Sequence, residues 1–284
     1  MKINNLILAL SLAAVPVVAS AVTEVELTPA KELTIDRQAF HPTISPDGAT
    51  LLYSSTDHTG LISYDLATGR SFTLDESAAA GFAPVFSQKG DKVYYQTASL
   101  VDGLLNRDVR VVALNSGKVT QLSKPSRRSV ELRSFGGDTF VCSTVYSIKV
   151  VRDGVQTEIK PVADGDSYLW PSLSPDGKHI LFNEPFQGLF ICDIDGGNLR
   201  KIAPKGDFPC WVADDAVVAV TTSDDGYNIL SSQLQLFNLE SGETLSLTAD
   251  DVKVAELTAS PFTGDLVFST LEGRMFLMNV KLNR

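Results

Sequence analysis

The chain predicts an all-β fold, a six-bladed β-propeller of four-stranded antiparallel blades whose ring is closed by an N-terminal strand completing the last blade. Three observations predict it. A strand-like run recurs six times along the chain, two of its copies share one turn sequence, and the sixth copy lacks an outer strand that a spare N-terminal segment can supply.

The recurring run is Leu51-Leu-Tyr-Ser-Ser55, then Val93-Tyr-Tyr-Gln-Thr97, Phe140-Val-Cys-Ser-Thr144, Ile180-Leu-Phe-Asn-Glu184, Val217-Val-Ala-Val-Thr221 and Leu266-Val-Phe-Ser-Thr270. The steps between starts are 42, 47, 40, 37 and 49 residues, the spacing of a four-stranded blade. Each run reads as strand B. In the first copy, residues 43–45 begin the innermost strand A, and Pro46-Asp47-Gly48 make the A–B turn. Proline presets φ there, aspartate bonds its own backbone, and glycine tolerates positive φ. Residues 61–66, 109–114, 147–151, 189–194, 234–239 and 275–280 read as strand C, and 71–74, 119–122, 156–159, 199–202 and 244–247 as strand D. The last copy stops after strand C. Lys31-Glu-Leu-Thr-Ile35 reads like the other D strands, and pairing it with the last blade would cover an exposed sheet edge.

These motifs resemble the TolB-like propeller family with its Pro-Asp repeats. The full Ser-Pro-Asp-Gly turn stands only in the first and fourth copies, at Ser45–Gly48 and Ser174–Gly177. The likeness covers the propeller alone, without the α/β domain that precedes it in TolB itself. No Gly-x-Ser-x-Gly nucleophile elbow is present, so the resemblance implies a fold rather than an activity.

Residues 1–21 read as a cleavable signal peptide: Lys2, an apolar run from Leu6 to Val18, and Ala19-Ser20-Ala21 as the small-x-small site. That run is too short for a spanning helix, so no transmembrane segment is expected. Residues 22–284 then form a single propeller domain, periplasmic or secreted, with 23 basic against 34 acidic residues. So acidic a surface repels phosphate backbones and excludes nucleic acid as a partner. Cys142, Cys192 and Cys210 lie in apolar strand runs, where an unbridged cysteine behaves as a small buried hydrophobe. A Cys192–Cys210 bridge is compatible with an oxidising compartment but not required.

Catalysis or metal binding needs groups that can meet. With the D–A and B–C connections on one face, the top, His41 and His58 face the top and His179 the bottom. Histidines divided in this way do not build the pore metal site of pectate-lyase-like propellers, and no metal or cofactor is expected. Asp47, Asp176 and the Asp193-to-Gly197 stretch read as turn formers. The residues leading into strand A give the candidate ligand site at the pore mouth: His41, Glu131, Arg133, Trp170, Trp211 and Glu256. Aromatic faces beside carboxylates, arginine and histidine can stack on a sugar or hold a peptide side chain. The two tryptophans can equally pack between blades. Two long B–C loops, residues 98–107 and 223–231, supply candidate partner contacts at Leu104, Arg107, Asp225 and Tyr227, or simply extend strands B and C.

The function expected is an exported, non-catalytic binding or scaffold module that takes a protein, peptide or glycan partner at its top face. The alternative is a carbohydrate-active enzyme of lyase or glycosidase type, with Glu131 and Glu256 as acid and base.

Overall fold

Strands form where β-branched and aromatic residues cluster, and the chain reverses at Gly, Asp, Asn and Pro. The protein is seen as a computed structural model, which describes residues 24–35, 38–55, 59–81, 83–87, 89–127, 135–136, 139–144, 146–153 and 155–283.

Each blade is an antiparallel meander in the order A-B-C-D. Blade 1 comprises Ala39–Ile44, Thr50–Ser55, Thr59–Asp65 and Ser71–Ala78. Blade 2 comprises Val85–Phe86, Lys92–Val101, Leu104–Ala113 and Lys118–Gln121. Blade 3 comprises Phe135–Gly136, Thr139–Ser143, Ile148–Arg152 and Val155–Ile159. Blade 4 comprises Leu169–Leu173, His179–Glu184, Gly188–Asp193 and Arg200–Ala203. Blade 5 comprises Asp207–Ala213, Ala216–Asp224, Ile229–Asn238 and Thr244–Ser246. Blade 6 comprises Val254–Ala259, Asp265–Thr270 and Met275–Asn283. The six-bladed, all-β propeller expected from the sequence is the fold observed.

The N-terminus closes the ring, but over a longer stretch than Lys31–Ile35. Glu24–Leu27 pairs with the last strand from Asn283 back to Val280, and Lys31–Glu32 pairs with Leu277 and Phe276. Between them the Thr28 amide donates to the Asn279 carbonyl at 3.0 Å, and Leu33 N continues the pairing to the Met275 carbonyl at 2.9 Å. Pro29, with no N–H to offer, interrupts this outer strand between its two pieces.

Packing explains why the B runs read as continuously apolar. Strand B of blades 1, 4 and 6 is buried along nearly all its length, because each blade packs face to face on its neighbours. The described core divides into clusters that each bridge two blades. Leu52 and Leu61 meet Val93 and Tyr95 between blades 1 and 2, and Val141 and Ile148 meet Ile180 and Phe182 between 3 and 4. Leu181 and Leu189 meet Trp211 and Val217 between 4 and 5, Val218 and Leu234 meet Leu266 and Phe268 between 5 and 6, and Leu51 and Tyr53 meet Val267 and Met275 between 1 and 6.

The two Ser-Pro-Asp-Gly turns act as the turn formers expected. Ser45 Oγ donates to Asp47 Oδ1 at 2.5 Å and Ser174 Oγ to Asp176 Oδ1 at 2.6 Å, while both closing glycines sit at φ 71°. The Ser174 hydrogen bond, with Lys178 behind it, lowers the Asp176 carboxyl to about 2. A polar staple also joins blades 1 and 2. Arg110 Nη1 contacts Asp75 at 3.0 Å and its Nε contacts Asp108 at 2.9 Å, and Tyr95 donates to Asp75 at 2.8 Å.

Candidate functional site

Strand A carries a repeated irregularity at its top end. In blade 1, Phe40 pairs with Ser54 and Thr43 with Leu52, so His41 and Pro42 together face one residue of strand B. Blade 4 repeats this at Trp170-Pro171 and blade 5 at Phe208-Pro209. The residue before each proline has positive φ: His41 at 55°, Trp170 at 50° and Phe208 at 50°, with Ala83 before Pro84 in blade 2 at 48°. Residues before proline ordinarily stay extended, and a non-glycine in this region costs about 1–3 kcal/mol unless its surroundings hold it there. The four prolines are buried, and those of blades 1, 4 and 5 lie within the bulges. A bulge re-aims a side chain, and here it turns His41, Trp170 and Phe208 toward the pore.

These residues line a cavity of about 480 Å3 at the pore mouth, together with Thr43, Val85, Ser172, Glu256 and Thr258. One wall is aromatic: the Trp170 and Phe208 rings lie 4.6 Å apart, tilted by 34°. Another is ionic. His41 Nδ1 stands 2.6 Å from Glu256 Oε1, the His41 amide donates to Oε2 at 2.7 Å, and Ser269 Oγ donates to the same oxygen at 3.2 Å. Burial alone would raise the Glu256 carboxyl, but the hydrogen bonds and charge of His41, with Ser269, outweigh it and hold the group below its ordinary value. Ser172 Oγ is buried and has no hydrogen-bond partner among the described residues.

Of the six candidate pore residues, the fold brings together His41, Trp170 and Glu256. Trp211 lies elsewhere. It is 4% exposed in the cluster between blades 4 and 5, and its Nε1 donates to the Ser172 carbonyl at 3.3 Å. Phe208, three residues earlier, takes the place matching Trp170, because the bulge in blade 5 falls at Phe208-Pro209. The X-Pro pairs of the sequence carry that signal, and pairing tryptophan with tryptophan misses it. Glu131 and Arg133, like His58, lie outside the described residues.

The two long B–C loops are hairpin extensions of their blades. In blade 2 the ladder runs out to Val101 opposite Leu104, turning at Asp102 and Gly103, both with positive φ as a type I′ turn requires. Leu104 is exposed at its tip, while Arg107 is half-buried and exchanges backbone hydrogen bonds with Ser126. In blade 5 the ladder reaches Asp224 opposite Ile229, and Asp225 organises the tip by accepting from the Tyr227 and Asn228 amides at 2.9 and 2.7 Å. The B–C turns of four successive blades expose large side chains on the top face: Leu100 at 74%, Tyr146 at 67%, Phe186 at 86% and Tyr227 at 97%.

None of the three cysteines is in a disulfide. Cys192 packs in the cluster between blades 3 and 4, while Cys210 packs against the one between 5 and 6, and burial pushes both thiols up to about 12. Among the described residues, no three His, Cys, Asp or Glu side chains gather where they could hold a metal ion. No described helix is long and apolar enough to cross a membrane.

No family model and no curated protein matches this chain. Solved propellers do. TolB from Acinetobacter baumannii is 18% identical with a TM-score of 0.56, over 86% of this chain and 56% of its own length. An oligogalacturonate lyase in complex with manganese is 18% identical with a TM-score of 0.54, over 89% of this chain and 79% of its own. The β-propeller domain of Myceliophteria thermophila Cps50 (Swd1) is 13% identical with a TM-score of 0.59, over 91% of this chain and 100% of its own. The chain spans little more than half the length of the TolB structure, and at these identities the likeness is one of fold.

Proposed function

We propose that this chain is an exported, non-catalytic binding propeller that holds a polypeptide partner on its top face, with the pore mouth receiving a side chain of that partner. One observation carries the reading. The cavity with the Trp170–Phe208 wall opens on the same face on which Leu100, Tyr146, Phe186 and Tyr227 are exposed. Large apolar side chains standing out from the turns around a pore mouth are the kind of group that anchors a protein contact. The buried, unpartnered Ser172 hydroxyl at the cavity wall adds a polar group for an incoming ligand to satisfy.

The carbohydrate-enzyme reading draws on the fold shared with an oligogalacturonate lyase and on the carboxylate of Glu256. It comes second for a physical reason. A general acid needs its carboxyl raised toward neutrality, whereas the hydrogen bonds from His41 and Ser269 hold Glu256 down, which leaves Glu256 only the base role and requires another group as the acid.

The deciding experiment is a thermal-shift screen of residues 22–284 against peptides, glycans and divalent metals with a chelator control. A peptide-dependent rise in Tm that disappears in Trp170→Ala and Phe208→Ala supports the reading. Release of an unsaturated sugar product from oligogalacturonate, followed by its ultraviolet absorbance, would move the assignment to the enzyme. Export is tested separately by mass spectrometry of the mature N-terminus, which is expected at Val22.

A further inference from the structure

The formal charge of −10 is not spread over the chain. Residues 206–252, which make up blade 5 and its link to blade 6, contain nine Asp and Glu and no Lys, Arg or His. The rest of the chain holds 24 basic against 25 acidic residues and is close to neutral. Blade 5 together with its link to blade 6 therefore carries nearly all of the protein's net charge.

The fold puts part of that charge beside the pore mouth. Asp207 begins strand A, Asp224 and Asp225 sit at the B–C tip, and Asp251 lies in the connection to blade 6, all at the top end. Asp214 and Asp215 in the A–B turn, with Glu240 and Glu243 near the C–D turn, stand at the bottom. Asp224 and Asp225 are exposed, and neither is in an ion pair among the described residues. The Asn228 and Tyr227 amides hold the Asp225 carboxyl below its ordinary value, so it is charged at neutral pH. The same tip exposes Tyr227 and Leu230.

Blade 2 stands opposite blade 5 across the six-membered ring, and its hairpin also projects from the top face. That arm is mainly apolar: Leu100 faces Leu105 and Val101 faces Leu104 across the ladder, and all four are exposed. The pore mouth thus lies between an acidic arm with aromatic and aliphatic side chains and a greasy one.

We infer that the arms of blades 2 and 5 together dock a positively charged, apolar-anchored segment of a partner protein lying across the pore mouth. Its basic side chains meet Asp224 and Asp225 on one side, and its apolar side chains meet Leu100, Leu104 and Leu105 on the other. Charge complementarity selects this occupant. A second copy meeting this face with its own blade 5 would bring like charge against it, and nucleic acid or an anionic lipid surface would be repelled for the same reason. The inference rests on the top-face binding reading and adds the chemistry of the partner.

The test titrates residues 22–284 with short labelled peptides of equal apolar content and net positive, zero or net negative charge, by fluorescence anisotropy at low and high salt. The positive peptide is expected to bind tightest and to weaken with salt. Asp224→Asn with Asp225→Asn keeps the oxygen acceptors that the turn amides need and removes only the charge, so the arm should still fold. Neutralising these two exposed carboxylates should weaken the positive peptide by roughly 2- to 30-fold. Asp214→Asn with Asp215→Asn, the same charge change on the opposite face, should leave it unchanged, and Leu100→Ala with Leu105→Ala should weaken peptides of every charge. Melting curves confirm that each variant is folded. Affinity indifferent to peptide charge, or reduced equally in the bottom-face variant, overturns the inference. Binding abolished by Trp170→Ala but untouched at the arms refutes this inference and leaves the pore-mouth reading standing; the reverse pattern refutes the pore-mouth anchor alone. Failure of all three peptides to bind overturns both.

Discussion

Glu256 shows how one side chain can serve both closure and recognition. It receives the amide and imidazole of His41 from blade 1, so it ties the last blade to the first while facing the cavity. Its carboxyl titrates lower in the folded state than the ordinary value of 4.5. The stability it contributes is therefore present above that value and fades as pH falls through the lower folded value. Glu256→Gln should lower stability by about 1–3 kcal/mol near neutrality, because His41 loses a charged acceptor in a half-buried site. The difference in Tm between the two proteins should shrink as the pH is taken below that range. A difference that stayed constant with pH would remove the ionic role. The thiols at this scale are inert for the opposite reason: burial suppresses ionisation of Cys192 and Cys210. Cys192, which is fully buried, should not react with a thiol reagent at mildly alkaline pH until the protein is unfolded, and rapid native labelling at this position would contradict its burial.

At the scale of elements, the closing strand and the X-Pro bulges are the parts with consequences. Residues 24–33 complete blade 6, and without them the edge of Met275–Asn283 would be bare. Removing residues 22–33 is expected to lower Tm sharply and promote aggregation, read by scanning calorimetry and light scattering. The bidentate Arg274–Glu32 contact between this strand and the last one is solvent-exposed, so Arg274→Ala, which also removes the guanidinium from the Phe276 ring, should lower Tm far less than the truncation. A truncated chain as stable as the full one would show that the strand is not what closes the ring. The positive φ before these prolines predicts an unusual sign for a glycine. Ala83 sits at φ 48°, so Ala83→Gly should stabilise by up to about 1 kcal/mol, where glycine in an ordinary strand would destabilise.

Across the whole molecule, every described apolar cluster belongs to two blades at once, so no blade can melt alone without exposing its neighbour's core. The Asp75–Arg110–Asp108 staple tests this coupling. Arg110→Ala leaves the buried Asp108 without its cation and should cost about 2–4 kcal/mol. It should appear as one transition at lower temperature. A second, separate transition for blades 1 and 2 would contradict the cooperative ring.

Fold class, blade count and turn positions were legible in the sequence because each rests on local chemistry. Alternating β-branched and aromatic residues make strands, and Pro-Asp-Gly makes a turn whatever surrounds it. The closing strand was legible in kind, since a missing outer strand must come from somewhere, although its extent was not. Which residues face the pore was decided by tertiary structure. The bulges shift the register of strand A, so Phe208 enters the cavity while Trp211, matched to Trp170 by residue type, goes into the core between blades. A register shift depends on how neighbouring strands hold a proline, and that is a property of the packed ring rather than of the segment. The same holds for the acidic residues of blade 5: their sum is written in the sequence, but only the ring sets Asp224 and Asp225 opposite the apolar arm of blade 2.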